Sequence, residues 1–236
     1  MWRHLRELYE YREVAFWLAV RQVKSRYKQT LLGGAWAVIQ PFLVMVVFTL
    51  VFSKMARMPS EGVPYPVFSY SGLLFWMFFS TSLTTATPSL VSNSDLIRKI
   101  YFPRETLLLA AIAAGLVDLA IASLVLAGML WYFGVFLRPA MLLVVPVLLL
   151  QLFLTFGIVC ITSAVHIRFR DVGHALPLLV QVWLFVSPVA YPLSAVPERY
   201  HLLYMVNPFA GLIEAYRRVI LSGVLPGGNV LAPAAL

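Results

Sequence analysis

The chain alternates long apolar runs with short polar segments. A helix needs about 20 consecutive apolar residues to cross a bilayer. Five runs come near this length: roughly Gly34–Ser53, Phe68–Val91, Thr106–Gly134, Pro139–Val165 and Leu176–Leu193. They are too continuous for β-barrel strands, in which apolar and polar residues alternate over about 10 positions. The pattern therefore predicts an all-α fold, a polytopic transmembrane helical bundle that forms one membrane domain over residues 34–236.

The first 33 residues are charged and lack the short basic region and apolar core of a cleavable signal peptide. On a helix they would form one apolar or neutral stripe and an opposite charged side. The stripe consists of Leu8, Tyr11, Ala15, Leu18 and Gln22, and the charged side of Glu10, Glu13, Arg21, Lys24 and Lys28. This pattern is typical of an amphipathic helix lying in the membrane interface. A solvated helix packed on a partner is the alternative. Gly33 and Gly34 would then let the chain turn into the first span.

The stretch after the fifth run is apolar but too short to cross a membrane. Tyr200–Val206 has seven residues and Phe209–Ser222 has fourteen, and apolar stretches of about 10–14 residues are often re-entrant or interfacial. Asn207 followed by Pro208 predicts a helix start, with Asn as the N-cap and Pro at the first helical position. We therefore expect a re-entrant hairpin over about 200–222, on the outer side, that borders a pathway, since such backbone needs cover from protein or a water-filled cavity.

The predicted helix after Pro208 has two faces. The apolar face comprises Phe209, Leu212, Ile213, Tyr216 and Ile220, and the polar face Glu214, Arg217 and Arg218. The following residues, NVLAPAAL, begin to resemble a sixth span. We expect that span to be truncated in this sequence.

Composition supports a membrane protein, and the position of the charge predicts its orientation. Hydrophobic residues make up 61%, mean hydropathy is +0.85, and charged residues make up 12%, about half of the quarter found in soluble domains. With the N-terminus inside, inner segments carry twelve Lys and Arg residues and outer segments six, as the positive-inside rule requires. The net charge of +8 therefore indicates a cytoplasmic N-terminus and inner-membrane topology rather than nucleic-acid binding.

The sequence contains no pattern for catalysis or metal binding. It has no G-x-x-x-x-G-K-[ST] phosphate loop, so nucleotide hydrolysis is not expected in this chain. His166 and His174 match no zinc spacing. Cys160 is the single cysteine and lies in the fourth run, which excludes a disulfide framework and a cysteine metal site. We predict no catalytic residue, no metal site and no cofactor bound by this chain.

Asp118 is the one acidic residue deep in a predicted span. An ionisable group there costs about 3 kcal/mol on insertion scales and indicates a specific role. A structural hydrogen bond, with Gln151 as the candidate partner, is the favoured interpretation, and a proton relay is the alternative. Ala111 and Gly115 nearby suit close helix packing.

The inner segment 92–105, SNSDLIRKIYFPRE, joins the second and third spans. Ser94 or Asp95 can cap a short helix, and Pro103 disfavours helical geometry at the residue before it. That helix would have an apolar side, formed by Leu96, Ile97 and Ile100, and a basic side, formed by Arg98 and Lys99. An exposed apolar patch on the cytoplasmic side indicates a protein partner. The alternative is a lipid-facing connector whose basic side chains reach the headgroups.

Several motifs in order along nearly the whole chain resemble the membrane subunit of ABC type-2 exporters for O-antigen, teichoic acid and capsular polysaccharides. They are RYKQTLLGGAWAVIQP, DLIRKIYFPRE, RFRDVGHALP, SPVAYPL and NPFAGLIEAYRR. The resemblance implies the six-helix fold of that family, of which five spans and the re-entrant hairpin are evident here. It also implies a homodimer bound to two ABC ATPase subunits, which would bind ATP and Mg²⁺, with a channel for lipid-linked polysaccharide at the dimer interface.

The resemblance further implies that segment 92–105 is a coupling helix against the ATPase. The predicted coupling residues are Asp95, Leu96, Ile97, Arg98, Lys99, Ile100 and Pro103. A sugar-polymer path should present aromatic faces and hydroxyl groups, which the second span supplies with rings followed by a run of Ser and Thr. The predicted channel or gate residues are Tyr70, Phe75, Trp76, Phe79, Trp183, Tyr191, Asn207, Pro208, Arg217 and Arg218. Taken singly, each ring fits an interfacial aromatic belt better than a sugar-binding surface; taken together, the rings are consistent with a lined channel.

Two other functions fit the sequence less well. A type-2 ABC exporter of a drug or another lipid would share the fold, and an ion-coupled carrier or a membrane-embedded enzyme would have a different mechanism. Secondary transporters usually show internal repeats and several polar sites within the membrane, and here Asp118 stands nearly alone.

Overall fold

The computed structural model describes residues 2–28, 30–135, 139–200, 204 and 206–223, and this part of the chain contains helices and turns but no strand. The α-helices are α1 (Trp2–Glu10), α2 (Arg12–Tyr27), α3 (Trp36–Phe48), α4 (Tyr65–Ala86), α5 (Ser89–Ser92), α6 (Ser94–Lys99), α7 (Glu105–Tyr132), α8 (Val144–Arg168), α9 (Val172–Val186) and α10 (Pro208–Arg217). Wider π-helical turns extend α3 over Thr49–Met55 and α10 over Arg218–Ser222. The all-α prediction is confirmed.

Within the described residues, three helical stretches are long and apolar enough to cross a membrane. They are Gly33–Met55, Glu105–Tyr132 and Met141–Arg168, which correspond to the first, third and fourth predicted spans. At a rise of 1.5 Å per residue, the 28-residue helix α7 is about 42 Å long and exceeds a hydrocarbon core of about 30 Å.

The second and fifth predicted spans differ from expectation. Helix α4 has 22 residues, enough to cross a bilayer, but it is not among the three stretches above. Its seven Ser and Thr residues lower its hydropathy. Helix α9 begins at Val172, four residues before the predicted start, and has only 15 residues. It ends at Val186, just before Ser187 and Pro188, and a residue that precedes proline disfavours helical geometry.

The chain forms two compact units. One consists of Met1–Ala35, Phe78–Asp118 and Phe153–Val180, and the other of Trp36–Met77, Leu119–Leu152 and Gln181–Leu236. In the first unit Phe79, Leu83 and Val159 are almost completely buried. The core of the second contains Phe68, Phe75, Phe209, Leu212 and Ile213.

The N-terminal region is two helices, with a break at Tyr11. All five residues of the predicted stripe are half-buried, and all five of the predicted charged side are exposed. Gly33 follows with φ 51°, a left-handed conformation that glycine adopts without strain, and the 3₁₀ turn Gly33–Ala35 leads into α3. That the helices lie in the membrane interface stays a prediction.

The predicted re-entrant hairpin falls partly outside the described residues. Positions 201–203 and 205 of its first half, and the suggested sixth span after position 223, are among those not described. The second half is helix α10, which begins at Pro208 as predicted.

Candidate functional site

The predicted coupling segment contains a short helix, α6, over Ser94–Lys99. Its N-cap is Asn93, so the proposal that Ser94 or Asp95 caps it is wrong; Asp95 lies in the first turn, where its negative charge favours the helix N-terminus. The helix ends at Lys99 because Ile100 is already extended, with φ −135° and ψ 132°. Pro103 therefore follows the helix end by several residues rather than terminating it.

The predicted apolar side of α6 is divided by burial. Leu96 and Ile97 are half-buried, whereas Ile100 is 59% exposed and the adjacent Tyr101 75% exposed. The basic residues Arg98 and Lys99 are exposed, and Pro103 is half-buried. The exposed apolar surface available to a partner is therefore concentrated at the end of the helix.

Residues of the N-terminal region form contacts near both ends of segment 92–105. Arg21 of α2 donates a hydrogen bond of 3.0 Å to the amide oxygen of Asn93, the N-cap of α6. The Tyr101 hydroxyl donates to the Glu7 carboxylate at 2.9 Å. The ring of Tyr101 also packs edge-on against that of Tyr11, with centroids 6.5 Å apart. Movement of the segment would therefore be transmitted to α1 and α2.

Asp118 is paired with the end of α2. Arg26 and Tyr27 both donate to its carboxylate, and the Arg26 and Asp118 side chains are 22% and 21% exposed. Burial raises the pKa of Tyr27 to about 12, and the hydrogen bond to Asp118 adds to the increase. The proposed partner Gln151 is wrong: its amide nitrogen donates to the Phe75 carbonyl oxygen at 2.7 Å. A structural hydrogen bond for Asp118 is nevertheless what the geometry shows.

Asn207 joins three elements of the second unit. Its side-chain oxygen accepts from the Phe209 backbone N–H at 3.1 Å, which caps α10 as predicted. The same oxygen accepts from the Trp183 indole at 3.1 Å, and its amide nitrogen donates to the Ser187 hydroxyl at 2.9 Å. Asn207 thereby fixes the start of α10 against the end of α9.

Arg217 is buried, with 3% exposure, and its guanidinium binds backbone. Nη1 donates to the Pro188 carbonyl oxygen at 2.6 Å and Nη2 to that of Val189. The guanidinium carbon lies 3.8 Å from the centroid of the Phe68 ring, a cation–π geometry. The forked, planar donor group of arginine suits two adjacent carbonyls.

A third donor completes this arrangement. The Tyr65 hydroxyl donates to the carbonyl oxygen of Ala190 at 2.6 Å. Asn207, Arg217 and Tyr65 thus bind four successive residues, Ser187–Ala190, which begin the motif SPVAYPL. We call Asn207, Arg217, Tyr65 and the bound segment the SPVA clamp.

Three of the predicted channel aromatics, Phe75, Trp76 and Trp183, pack around α10; Phe75 and Trp76 are buried and Trp183 is half-buried. The rings of Trp76, Trp183 and Phe209 meet edge-on with centroids 5.2–6.1 Å apart, and Phe75 packs on Tyr216 at 4.9 Å. Tyr70 is fully buried, and its hydroxyl donates to the Ala122 carbonyl oxygen at 3.2 Å. The structure therefore brings Phe75, Trp76 and Trp183 together with α10, but it places them mainly in a packed interior. Phe79 is also fully buried.

The remaining predicted gate residues are half-buried. Tyr191 hydrogen-bonds to Tyr204 and, at 2.9 Å, to the Phe185 carbonyl oxygen. Pro208 begins α10, and Arg218 donates to Glu214 at 2.7 Å. The predicted division of α10 into an apolar and a polar face is not reflected in burial, since Glu214 is 2% exposed. Glu214 accepts from Arg218, and two of the three nitrogens of Arg217 donate to backbone, whereas its Nε is buried without a hydrogen-bond partner among the described residues.

Two hydroxyls in the Ser- and Thr-rich end of α4 bond within their own helix. Thr84 donates to the Ser80 carbonyl oxygen at 2.8 Å and Thr85 to that of Thr81 at 2.6 Å. Such bonds to the preceding turn are common for Thr in helices. Thr84 and Thr85 are therefore weaker candidates for contact with a sugar polymer, whereas the buried Ser82 Oγ has no hydrogen-bond partner among the described residues.

Sequence reasoning missed several residues that organise the sites. Glu7, Asn93 and Arg26 bind partners that are distant in sequence, and Tyr65 and Gly72 belong to the surroundings of Arg217. Only Gly72, a glycine within a predicted span, carried a recognisable signal, because such a glycine often marks close approach of another group.

Comparison with known proteins gives consistent matches. The family model described as ABC-2 type transporter matches residues 13–221. An O-antigen export system permease protein of Myxococcus xanthus is 30% identical over 234 residues, covering 98% of this chain and 89% of the relative. One from Klebsiella pneumoniae is 27% identical over 208 residues, covering 87% and 79%. A polysialic acid transport protein of Escherichia coli is 24% identical over 213 residues, covering 89% and 82%.

Proposed function

Because the chain belongs to the ABC-2 type transporter family, we propose that it is the membrane subunit of an ATP-driven exporter of lipid-linked, O-antigen-like polysaccharide. The observation that carries the proposal is the 30% identity to an O-antigen export permease over 98% of this chain. The 24% identity to a polysialic acid transport protein supports a polysaccharide cargo. The chain itself is a non-catalytic, multi-pass membrane protein.

The proposed assembly is a homodimer with two ABC ATPase subunits in the bacterial inner membrane. ATP and Mg²⁺ would be bound by the ATPase subunits, since this sequence has no phosphate loop. The twelve-to-six division of Lys and Arg supports a cytoplasmic N-terminus. Segment 92–105 would then face the ATPase from the cytoplasmic side.

Energy would enter through segment 92–105. Ile100 and Tyr101 supply exposed apolar surface that a groove on the ATPase could bury. Movement there would pull directly on α7 through the short connection at Pro103. It would also pull on α1 and α2 through the contacts of Asn93 and Tyr101.

The outer part of the path would be shaped by α10 and the SPVA clamp. The clamp fixes α10 against the loop after α9, and the aromatic cluster of Trp76, Trp183 and Phe209 supports its first turn. In this proposal Pro208, Arg218 and Tyr191, which are half-buried, are nearer to the cargo than the clamp residues. The buried residues position the wall of the path.

The proposal is tested in a strain that lacks the gene and its product. The deletion strain should accumulate lipid-linked polymer on the cytoplasmic side of the membrane. Complementation with the wild-type chain should restore surface polysaccharide. Affinity purification of the chain should recover an ABC ATPase. Normal surface polysaccharide in the deletion strain, together with accumulation of a drug or another lipid, would instead identify an exporter of that compound. The ion pair of Asp118 with Arg26 weighs against an ion-coupled carrier.

A further inference from the structure

The exposed side of α2 carries a groove of about 740 Å³ that the exporter function does not explain. Its lining includes Trp17, Arg21, Lys24, Tyr27 and Lys28. At about 100° per residue, Trp17, Arg21 and Lys24 lie within an arc of about 60° on the helix surface. Lys28 follows at the helix end. A volume of this size is within the range of small-molecule sites.

The positive charges of this groove lack acidic partners. The ion pairs found in the described part of the chain join Arg6 to Glu10, Arg26 to Asp118 and Arg218 to Glu214. Arg21 instead donates to an amide oxygen, that of Asn93. Trp17 is 66% exposed beside these cations. The groove wall is largely apolar, with the exposed Trp17 ring as part of it, and Arg21, Lys24 and Lys28 add positive charge to this lining. This combination suits an anion attached to an apolar body.

The groove is held beside a membrane helix. Arg26 and Tyr27, immediately before Lys28, are bound to Asp118 in the middle of α7. Helix α7 is about 12 Å longer than a hydrocarbon core of about 30 Å, so its first turns can extend beyond the lipid. Asp118, about 20 Å from the start of α7, then lies about 8 Å below the boundary. Exposed Trp and Lys side chains at such a boundary lie at headgroup depth.

We propose that this groove binds the phosphate headgroup of an anionic phospholipid of the surrounding bilayer, with Arg21, Lys24 and Lys28 as the anion-binding residues. The proposal rests on the proposed cytoplasmic position of the N-terminal helices, where the leaflet is negatively charged. It does not depend on which compound is exported. Trp17 packs against the glycerol and upper acyl region of the bound lipid, which distinguishes the site from one for a free anion.

The test is native mass spectrometry of the full chain in neutral detergent, titrated with phosphatidylglycerol or phosphatidylcholine. We expect retention of phosphatidylglycerol over phosphatidylcholine. Each basic residue near an anionic surface changes binding several-fold. The triple variant Arg21→Gln/Lys24→Gln/Lys28→Gln should therefore bind phosphatidylglycerol at least about tenfold more weakly. The matched control Lys54→Gln/Arg57→Gln/Arg170→Gln removes the same charge from exposed residues elsewhere and should bind as the wild type does.

A second variant separates loss of lipid binding from loss of structure. Lys24→Gln/Lys28→Gln leaves the hydrogen bond of Arg21 to Asn93 intact and should weaken binding at least about threefold. Equal retention of phosphatidylglycerol by wild type and both groove variants would overturn the proposal, as would an equal loss in the control triple. Displacement by inorganic pyrophosphate, or stronger retention of a polyprenyl pyrophosphate, would assign the groove to a free anion or the cargo and also overturn it. Loss of export in cells with normal lipid retention would concern the proposed function alone.

Discussion

Gly72 of α4 lies directly against the guanidinium of Arg217. A Cβ atom at position 72 would overlap Nη2 of Arg217, lie 3.0 Å from its guanidinium carbon and lie 3.2 Å from the carbonyl oxygen of Val189. The contact is therefore with both the arginine and the backbone that the arginine binds. Position 72 has to be glycine for Arg217 to reach Pro188 and Val189 in the SPVA clamp.

Replacement of this glycine should weaken the clamp. We expect Gly72→Ala to lower stability by about 1–3 kcal/mol, the usual cost of forcing extra volume into a packed interior. The measurement is thermal unfolding in detergent followed by size-exclusion chromatography. Gly128→Ala in α7 is the matched control, because a Cβ there meets nothing within 4 Å, and alanine is the better helix former. Equal melting temperatures for the two variants would contradict the packing argument.

The geometry of the arginine matters as well as its charge. Arg217→Lys keeps a cation but not the fork that binds two carbonyls, and an unsatisfied buried carbonyl costs about 1–3 kcal/mol. We expect lower thermal stability and less surface polysaccharide. Arg218→Lys, which can keep the pair with Glu214 at a half-buried position, should behave nearly as the wild type. If both variants retain full stability and export, the two bonds to Pro188 and Val189 do not fix α10.

Features that depend on residues close in sequence were predictable, and features that depend on residues distant in sequence were not. The start of α10 at Pro208 and the short helix α6 depend on neighbours within one turn, and both were predicted. The N-cap of α6 is Asn93, one residue before the predicted Ser94, and its side chain makes no capping bond; it binds Ser89 and Arg21, the latter 72 residues away. The burial of Glu214 and Arg217 could not be predicted, since their hydrophilic character favours exposure unless distant backbone supplies partners.

Orientation is tested by cysteine labelling. In a background with Cys160→Ala, cysteines at Glu61 and Pro197, both exposed, should react with an impermeant maleimide added to intact cells. A cysteine at Asp95, also exposed, should react only after permeabilisation. The charge distribution is the reason for this expectation. Reaction of a cysteine at position 95 in intact cells would mean that segment 92–105 lies outside, where it could not contact a cytoplasmic ATPase.

The pair formed by Arg26 and Asp118 is tested with a double-mutant cycle. Each of Arg26→Met and Asp118→Leu leaves the other charge without its partner, and we expect each to lower stability by about 1–3 kcal/mol, less than a fully buried pair would lose. The double variant should recover part of that loss, because residues in direct contact are not additive. Thermal unfolding measures all three. Strict additivity would mean that the two side chains do not interact in the protein.

The last prediction concerns the end of α6, where Ile100 is 59% exposed. Because this side chain is not needed for the interior of the subunit, Ile100→Asp should insert and fold normally. Burial of an aliphatic side chain in a partner is worth about 1.5–3 kcal/mol, and a carboxylate stranded in the same groove costs more. The variant should therefore lose the ATPase on co-purification and abolish surface polysaccharide.

Lys99→Ala is the control for this experiment, because it changes an exposed residue of the same short helix on its predicted basic side and removes no apolar surface. We expect it to retain the ATPase and most of the surface polysaccharide. The hydrogen bonds of Asn93 and Tyr101 to the N-terminal helices remain available in both variants, so a difference between them reports on the partner rather than on the fold. Normal ATPase recovery and normal staining with Ile100→Asp would mean that segment 92–105 does not couple the two subunits, and that force enters the membrane domain by another inner segment.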